Sequence, residues 1–209
     1  MEQLMTGGQN VPSISPDGNV LVLLTGRAGR SEDGANTNIT MYDLRSKKAI
    51  PYLNTKYNEQ YPDFSPDGRW LTYTSNQTER DEVYIRPYPG PPGPGGERRI
   101  SADGGKEPLW ARDGKQLFWR LGDASELQVW AVNINLNQNP PAVSAPELKF
   151  KLQGYGSGTT VRFAWDVSLD GRKFLMYKVE ERVPQPVTEM ILVENWFEEL
   201  RSQFNAGQK

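Results

Sequence analysis

The chain has 209 residues, 36% of them hydrophobic, and a formal net charge of −2, so it is long enough for one all-β domain with a sizeable core. Because it contains neither Cys nor His, disulfides, thiolate or histidine metal sites and a Ser-His-Asp triad are excluded. The small net charge favours neither nucleic acid nor an anionic membrane, and no apolar run of about 18 residues predicts a membrane span. We therefore expect no metal, no cofactor, no nucleic-acid partner and no membrane insertion.

A tight turn occurs four times along the chain and organises the rest of it. Its Asp residues, at positions 17, 67, 113 and 170, follow one another at intervals of 50, 46 and 57 residues. A repeat of about 40–50 residues is typical of a four-stranded propeller blade. The four copies are Ser15-Pro16-Asp17-Gly18, Ser65-Pro66-Asp67-Gly68, Ala111-Arg112-Asp113-Gly114 and Ser168-Leu169-Asp170-Gly171.

Apolar residues recur at the same distance from each turn. Alternate positions after each Gly are apolar, which predicts a half-buried strand, and Asp-Gly is typical of a tight hairpin. We interpret the Asp and Gly of the turns as structural residues, since the Asp side chain can bond the backbone N–H groups of its own turn. The alternating residues are Leu21 and Leu23, Leu71 and Tyr73, Leu117 and Trp119, and Phe174 and Met176.

The predicted fold is an all-β propeller of four four-stranded blades in a single domain, 1–209. The approximate blades are 11–53, 61–101, 107–152 and 163–194, with residues 2–6 completing the last blade. Pairing the two chain ends in this way would close the ring and hide its edges. The Pro- and Gly-rich segments 89–96 and 139–146 are predicted to be hairpin loops, and 195–201 to be a short helix.

The turn segments resemble the TolB-type β-propeller repeat, a bacterial relative of the WD-repeat blade. The residues that carry the resemblance are Pro12-Ser13-Ile14-Ser15-Pro16-Asp17-Gly18 and Pro62-Asp63-Phe64-Ser65-Pro66-Asp67-Gly68. The segment 192–200 resembles the end of propeller regions attached to some bacterial serine/threonine kinases and transcriptional regulators. The resemblance implies a sensor or interaction domain. The TolB resemblance implies six blades, whereas we count four. Either the ring has four blades, or it closes through a second copy, as a homodimer, or through a missing partner segment.

Asp63 and Asp166 occupy the same position of the repeat, where the other two copies have Ser13 and Leu109. This position lies on the first strand of each blade, which in a propeller lines the central channel. Two carboxylates in a channel can bind a cation or act as an acid–base pair. The alternative is that both carboxylates only bond a neighbouring blade or water.

Loops that enter each blade, and loops between its second and third strands, are predicted to share one face with charges of both signs. Loops held by a rigid scaffold are where many proteins bind their partners. The alternative is an ordinary solvated surface. The candidate binding residues on this face and at the channel mouth are Asn10, Arg27, Arg30, Glu59, Asp63, Arg80, Lys106, Arg162 and Asp166.

The leading interpretation is a non-catalytic module that binds a protein or peptide. One alternative is a hydrolase or lyase that uses Asp63 and Asp166. Another is that the chain is the C-terminal part of a larger kinase-linked or regulator-linked protein. Residues 1–10 show no signal peptide, which predicts a cytoplasmic protein, or a periplasmic one if the chain belongs to an exported protein.

Overall fold

The computed structural model describes residues 10–26, 36–90, 96–155 and 165–178. They belong to the first of two compact units, Met1–Val179, while the second unit, Glu180–Lys209, lies outside the described residues. The described ranges contain strands and turns and no helix, so none of their segments is a helix that could cross a bilayer. The predicted strand at 2–6 and the predicted helix at 195–201 both lie outside the described residues.

Fifteen strands are formed by the described residues, and they follow the fourfold repeat of the sequence. Their bounds are β1 (Asn10–Ile14), β2 (Val20–Thr25), β3 (Asn38–Asp43), β4 (Lys48–Leu53), β5 (Glu59–Phe64), β6 (Trp70–Ser75), β7 (Glu82–Pro87), β8 (Arg98–Arg99), β9 (Lys106–Trp110), β10 (Gln116–Gly122), β11 (Leu127–Asn135), β12 (Ala142–Val143), β13 (Glu147–Leu152), β14 (Trp165–Val167) and β15 (Phe174–Met176).

Each copy of the repeat builds its own antiparallel sheet. The first two sheets have the orders β1-β2-β3-β4 and β5-β6-β7-β8. In the third sheet β9, β10 and β11 are neighbours, and the long strand β11 pairs with both β12 and β13. The segment 139–146 is therefore not only a loop, as predicted from its composition, because Ala142 and Val143 pair with the end of β11. The fourth copy contributes the hairpin β14-β15 within the described residues.

The four turns share one hydrogen-bonding pattern, which explains why the motif repeats. The backbone N–H of Gly68 donates to the carbonyl oxygen of Ser65 at 2.9 Å, and Gly68 has a φ of 70°. Such a positive φ strains any residue with a Cβ, so glycine fits this position. The Asp67 carboxylate accepts from the Ser65 hydroxyl at 2.6 Å and from the Arg69 backbone N–H at 3.0 Å.

The first strands of the hairpins are kinked at the same place. A register shift interrupts the pairing between Gln60 and Asp63, and Tyr61, directly before Pro62, has a φ of 51°. Glu107, directly before Pro108, has a φ of 52° at the corresponding shift in β9. Bulges of this kind bend a strand and redirect its side chains.

The core lies between successive sheets rather than on one side of each. The prediction of half-buried strands is therefore wrong for β6, where all six residues are buried. The physical reason is that each middle strand packs against a neighbouring blade on both faces, as in other sheets that are covered on two sides. Residues of the first and second sheets share one cluster that includes Val22 and Leu71, while the second and third share another that includes Ile85 and Leu117. The third packs against the β14-β15 hairpin through Phe118 and Trp165.

Candidate functional site

The first strands of all four repeats meet at one cavity, which has a volume of about 1080 Å³. Strand β5 packs against both β1 and β9, which holds the three first strands side by side. We call this space the channel cavity. The four residues that share one position of the repeat all line it, namely Ser13, Asp63, Leu109 and Asp166.

Asp63 is a polar residue of the channel cavity that two hydrogen bonds hold in place. Its carboxylate accepts a hydrogen bond from the Ser13 hydroxyl at 3.0 Å, and its backbone carbonyl accepts one from the Trp110 indole N–H at 3.3 Å. Burial raises the pKa of Asp63 to about 6, although the Ser13 hydrogen bond and the Arg112 guanidinium both favour the ionised form. Asp63 therefore changes charge close to neutral pH.

Asp166 lies on the opposite hairpin and is exposed. Its carboxylate accepts a hydrogen bond from the backbone N–H of Val167 at 2.8 Å. Its strand is anchored by the neighbouring Trp165, whose indole N–H donates to the carbonyl oxygen of Glu107 at 3.1 Å. The cavity thus presents one partly buried and one solvated carboxylate, both held on strands that bond to the next sheet.

Apolar side chains line the rim of the channel cavity beside these carboxylates. Ile14 is 50% exposed, Leu175 is 74% exposed and Tyr177 is 44% exposed, although all three lie on or next to strands of the sheets. Exposed apolar groups that cluster around a concave surface are typical of a site that binds a partner or ligand.

Sequence reasoning did not single out Arg112, Leu175 or Tyr177, all of which line the channel cavity. One signal for Arg112 was present in the sequence, because it stands in the turn where the first two copies have Pro16 and Pro66. Leu175 and Tyr177 had no such signal, since an apolar residue in a strand is usually buried.

Three of the predicted binding residues that the structure describes, Glu59, Arg80 and Lys106, are not among the residues that line the channel cavity. The Lys106 ammonium pairs with the Asp81 carboxylate at 2.8 Å, and the Arg80 guanidinium pairs with the Glu82 carboxylate at 2.7 Å. Glu59 differs from the prediction of an accessible loop residue, because it is only 2% exposed.

The structure says less about the remaining predicted binding residues. Asn10 pairs with Leu24 through the backbone of β1. Arg27, Arg30 and Arg162 lie outside the described residues. Within residues 10–26, 36–90, 96–155 and 165–178, no group of three or more Asp and Glu residues is arranged to hold a metal ion.

Comparison with known proteins shows which folds this chain resembles. No protein-family model matches the chain. The chain is 27% identical over 111 residues to YuxL of Bacillus subtilis, described as an uncharacterized peptidase, and the match covers 51% of this chain and 16% of that protein.

Three solved structures resemble the chain over most of its length. A putative TolB from Agrobacterium tumefaciens has a TM-score of 0.61 at 20% identity, over 84% of this chain and 61% of that one. TolB from Acinetobacter baumannii has a TM-score of 0.60 at 18% identity, over 83% and 39%. The periplasmic gluconolactonase PpgL of Pseudomonas aeruginosa has a TM-score of 0.55 at 20% identity, over 82% and 52%.

The described residues are all-β and have the β-propeller fold. More particularly, the fold is similar to that of the TolB propellers, whose repeat the turn motif resembles. The chain spans less than two thirds of the length of each of these proteins.

Proposed function

We propose that the chain is a non-catalytic module that binds a segment of a protein or peptide in the channel cavity. The observation that carries this proposal is the meeting of Asp63 and Asp166 with exposed apolar side chains on the wall of one cavity of about 1080 Å³. A space of this size accepts several amino-acid side chains rather than a single ion. The loop-face cations Arg80 and Lys106 are bound to carboxylates of the chain itself, which makes the channel mouth the better binding surface.

The chemistry of the wall specifies the kind of segment that would fit. The rim residues Ile14, Leu175 and Tyr177 favour an apolar side chain, since burying apolar area from both partners is favourable. The two carboxylates favour a neighbouring basic group, which would gain a charge-assisted hydrogen bond. The preferred ligand is therefore a segment in which a Lys or Arg stands close to an apolar residue.

The test is a selection from a displayed library of random peptides on the full chain, followed by fluorescence anisotropy with the enriched peptides. We expect enrichment of basic-apolar sequences and an affinity at least about tenfold weaker for the double variant Asp63→Asn/Asp166→Asn. The amide oxygen introduced at position 63 would still accept the Ser13 hydrogen bond, so the fold is retained. The matched control is Asp103→Asn, because Asp103 carries a carboxylate that is 94% exposed and lies outside the cavity. Equal binding by the double variant would contradict the proposal.

The rival candidate is a hydrolase or lyase that uses Asp63 and Asp166. It is favoured by the pKa of Asp63 near 6, which suits a general acid or base at neutral pH, and by the enzymes among the similar proteins. The likeness to the peptidase covers 51% of this chain and only 16% of that protein. Cleavage of a selected peptide by the wild type, together with binding but no cleavage by the double variant, would replace the binding proposal with the rival.

A third candidate concerns the protein to which the propeller belongs. The chain covers 61% of the Agrobacterium protein and 16% of YuxL, so those proteins contain segments without a counterpart in it. This favours the hypothesis that the propeller is part of a longer protein, and the resemblance of the segment 192–200 to kinase-linked and regulator-linked propellers suggests the kind of protein. The coding sequence upstream of residue 1 tests it, and a stop codon directly upstream would refute it.

A further inference from the structure

A serine of the first sheet is bonded to a carboxylate of the second sheet at the wall of the channel cavity. Ser13, on β1, donates from its hydroxyl to Oδ1 of Asp63, on β5, at 3.0 Å. The same hydroxyl oxygen accepts a hydrogen bond from the backbone N–H of Phe64 at 3.4 Å. Ser13 therefore contacts β5 through both its donor and its acceptor, which fixes the direction of its O–H toward the Asp63 carboxylate.

The equivalent carboxylate of the fourth repeat, Asp166, is held differently. The third repeat, which precedes it, has Leu109 at this position, and a leucine side chain cannot donate a hydrogen bond. Asp166 accepts from the backbone N–H of Val167 on its own strand, and it is exposed, whereas Asp63 is half-buried. The two carboxylates of the channel cavity therefore differ in how firmly the structure orients them.

The charge of Asp63 also depends on Ser13. Burial has the largest effect on the pKa of Asp63 and raises it to about 6. The Ser13 hydrogen bond is the largest effect in the opposite direction, ahead of neighbouring backbone N–H groups and the charge of Arg112. The ionised form that Ser13 favours is the form that would make a charge-assisted hydrogen bond with a basic group. The other ionisable residues on the cavity wall come from other elements, namely Arg112, Asp166 and Tyr177.

We propose that Ser13 is a positioning residue that fixes the Asp63 carboxylate for the basic group of a ligand, which makes Asp63 a stronger anchor than Asp166. This inference rests on the proposed function, because it requires a ligand with a basic group in the channel cavity. A carboxylate that is already oriented loses less conformational freedom on binding than one that rotates freely. Ser13 acts through Asp63 and needs no contact with the ligand.

The first test needs no ligand. It is a pH titration of the full chain in which NMR follows the carboxyl carbon of Asp63, with Asp63→Asn used to assign the signal. We expect a higher pKa of Asp63 in Ser13→Ala than in the wild type, because alanine supplies no donor to the ionised carboxylate. Ser13→Thr keeps the hydroxyl and should restore the wild-type pKa. An unchanged pKa of Asp63 in folded Ser13→Ala would overturn the proposal.

The second test is fluorescence anisotropy with the tightest-binding peptide from the displayed library. We expect about fivefold weaker binding by Ser13→Ala and wild-type binding by Ser13→Thr. Asp63→Ala should weaken binding more than Asp166→Ala does. Ser13→Ala should cause the same fold loss in the Asp166→Ala background as in the wild type. It should cause no further loss in the Asp63→Ala background, where no carboxylate remains to be positioned.

The matched control is Ser125→Ala, which removes a hydroxyl that donates to Asp123 at 2.6 Å on an exposed loop outside the cavity wall, and it should leave binding unchanged. Thermal melting checks that each variant is folded. Wild-type binding by Ser13→Ala, or an equal loss from Ser13→Ala in the Asp63→Ala background, would overturn the positioning role while peptide binding itself stands. If no peptide is enriched by the wild type, the proposed function fails and the anchoring role fails with it, whatever the NMR titration shows.

Discussion

The buried carboxyl of Glu59 predicts a specific dependence of stability on pH. Burial raises its pKa from 4.5 to about 7 in the folded chain. The folded state therefore binds this proton more tightly than the unfolded state. The resulting stabilisation is complete below pH 4.5 and is lost as the pH rises through 7. Since one pKa unit corresponds to about 1.4 kcal/mol, the full effect is at most about 3.5 kcal/mol, and solvent screening reduces it toward about 1–2 kcal/mol.

Glu59→Gln removes this titration while preserving an acceptor for the Thr55 and Ser75 hydroxyls. We expect the free energy of unfolding of the wild type, relative to the variant, to fall by about 1–2 kcal/mol between about pH 5 and pH 8.5. The comparison with the variant matters because Asp63, with its pKa raised to about 6, contributes a pH dependence of the same sign in both proteins.

The assay is urea denaturation followed by tryptophan fluorescence at several pH values, for which the six Trp residues provide the signal. The difference in free energy of unfolding between wild type and variant should change mainly between pH 4.5 and 7. A difference that stayed constant within about 0.5 kcal/mol across this range would show that Glu59 titrates normally, and would refute the reasoning from burial.

Two further predictions concern the blades. Ser65 is buried, and its hydroxyl donates to Asp67 at 2.6 Å and accepts from the Trp70 N–H at 3.0 Å, so Ser65→Ala should lower the free energy of unfolding by about 1–3 kcal/mol. Urea denaturation measures this loss, and a change below about 0.5 kcal/mol would contradict the prediction. The third turn, which has Ala111 at the same position, shows that the turn can also form without this hydroxyl. Deletion of residues 1–6, predicted to complete the last blade, should lower the melting temperature or produce oligomers. An unchanged melting temperature and a monomeric mass by light scattering would contradict strand exchange between the chain ends.

Much of the fold could be predicted from the sequence, because its main signals are local. The Asp-Gly turns act through hydrogen bonds within four or five residues. Hydrogen bonds within a turn do not determine which faces of the following strand are buried. The burial of β6 on both faces therefore depended on the neighbouring sheets.

The candidate site could be predicted only in part. The repeat placed Asp63 and Asp166 at equivalent positions, and both line the channel cavity. It gave no indication that Arg80 and Lys106 form ion pairs within the protein, because their carboxylate partners become neighbours only when strands of the sheet come together.

By itself, the sequence determined the repeat, the turns, the strands and the all-β class, since each of these follows from residues that are near one another along the chain. Only the tertiary structure decided the environment of the carboxylates. Asp63 is held by Ser13, which is 50 positions earlier, and Glu59 is enclosed by a cavity between two sheets. Desolvation depends on all the atoms that surround a group, whichever part of the chain supplies them. The shifted pKa values of Asp63 and Glu59, and the chemistry that depends on them, therefore arise from the packing of one blade against the next.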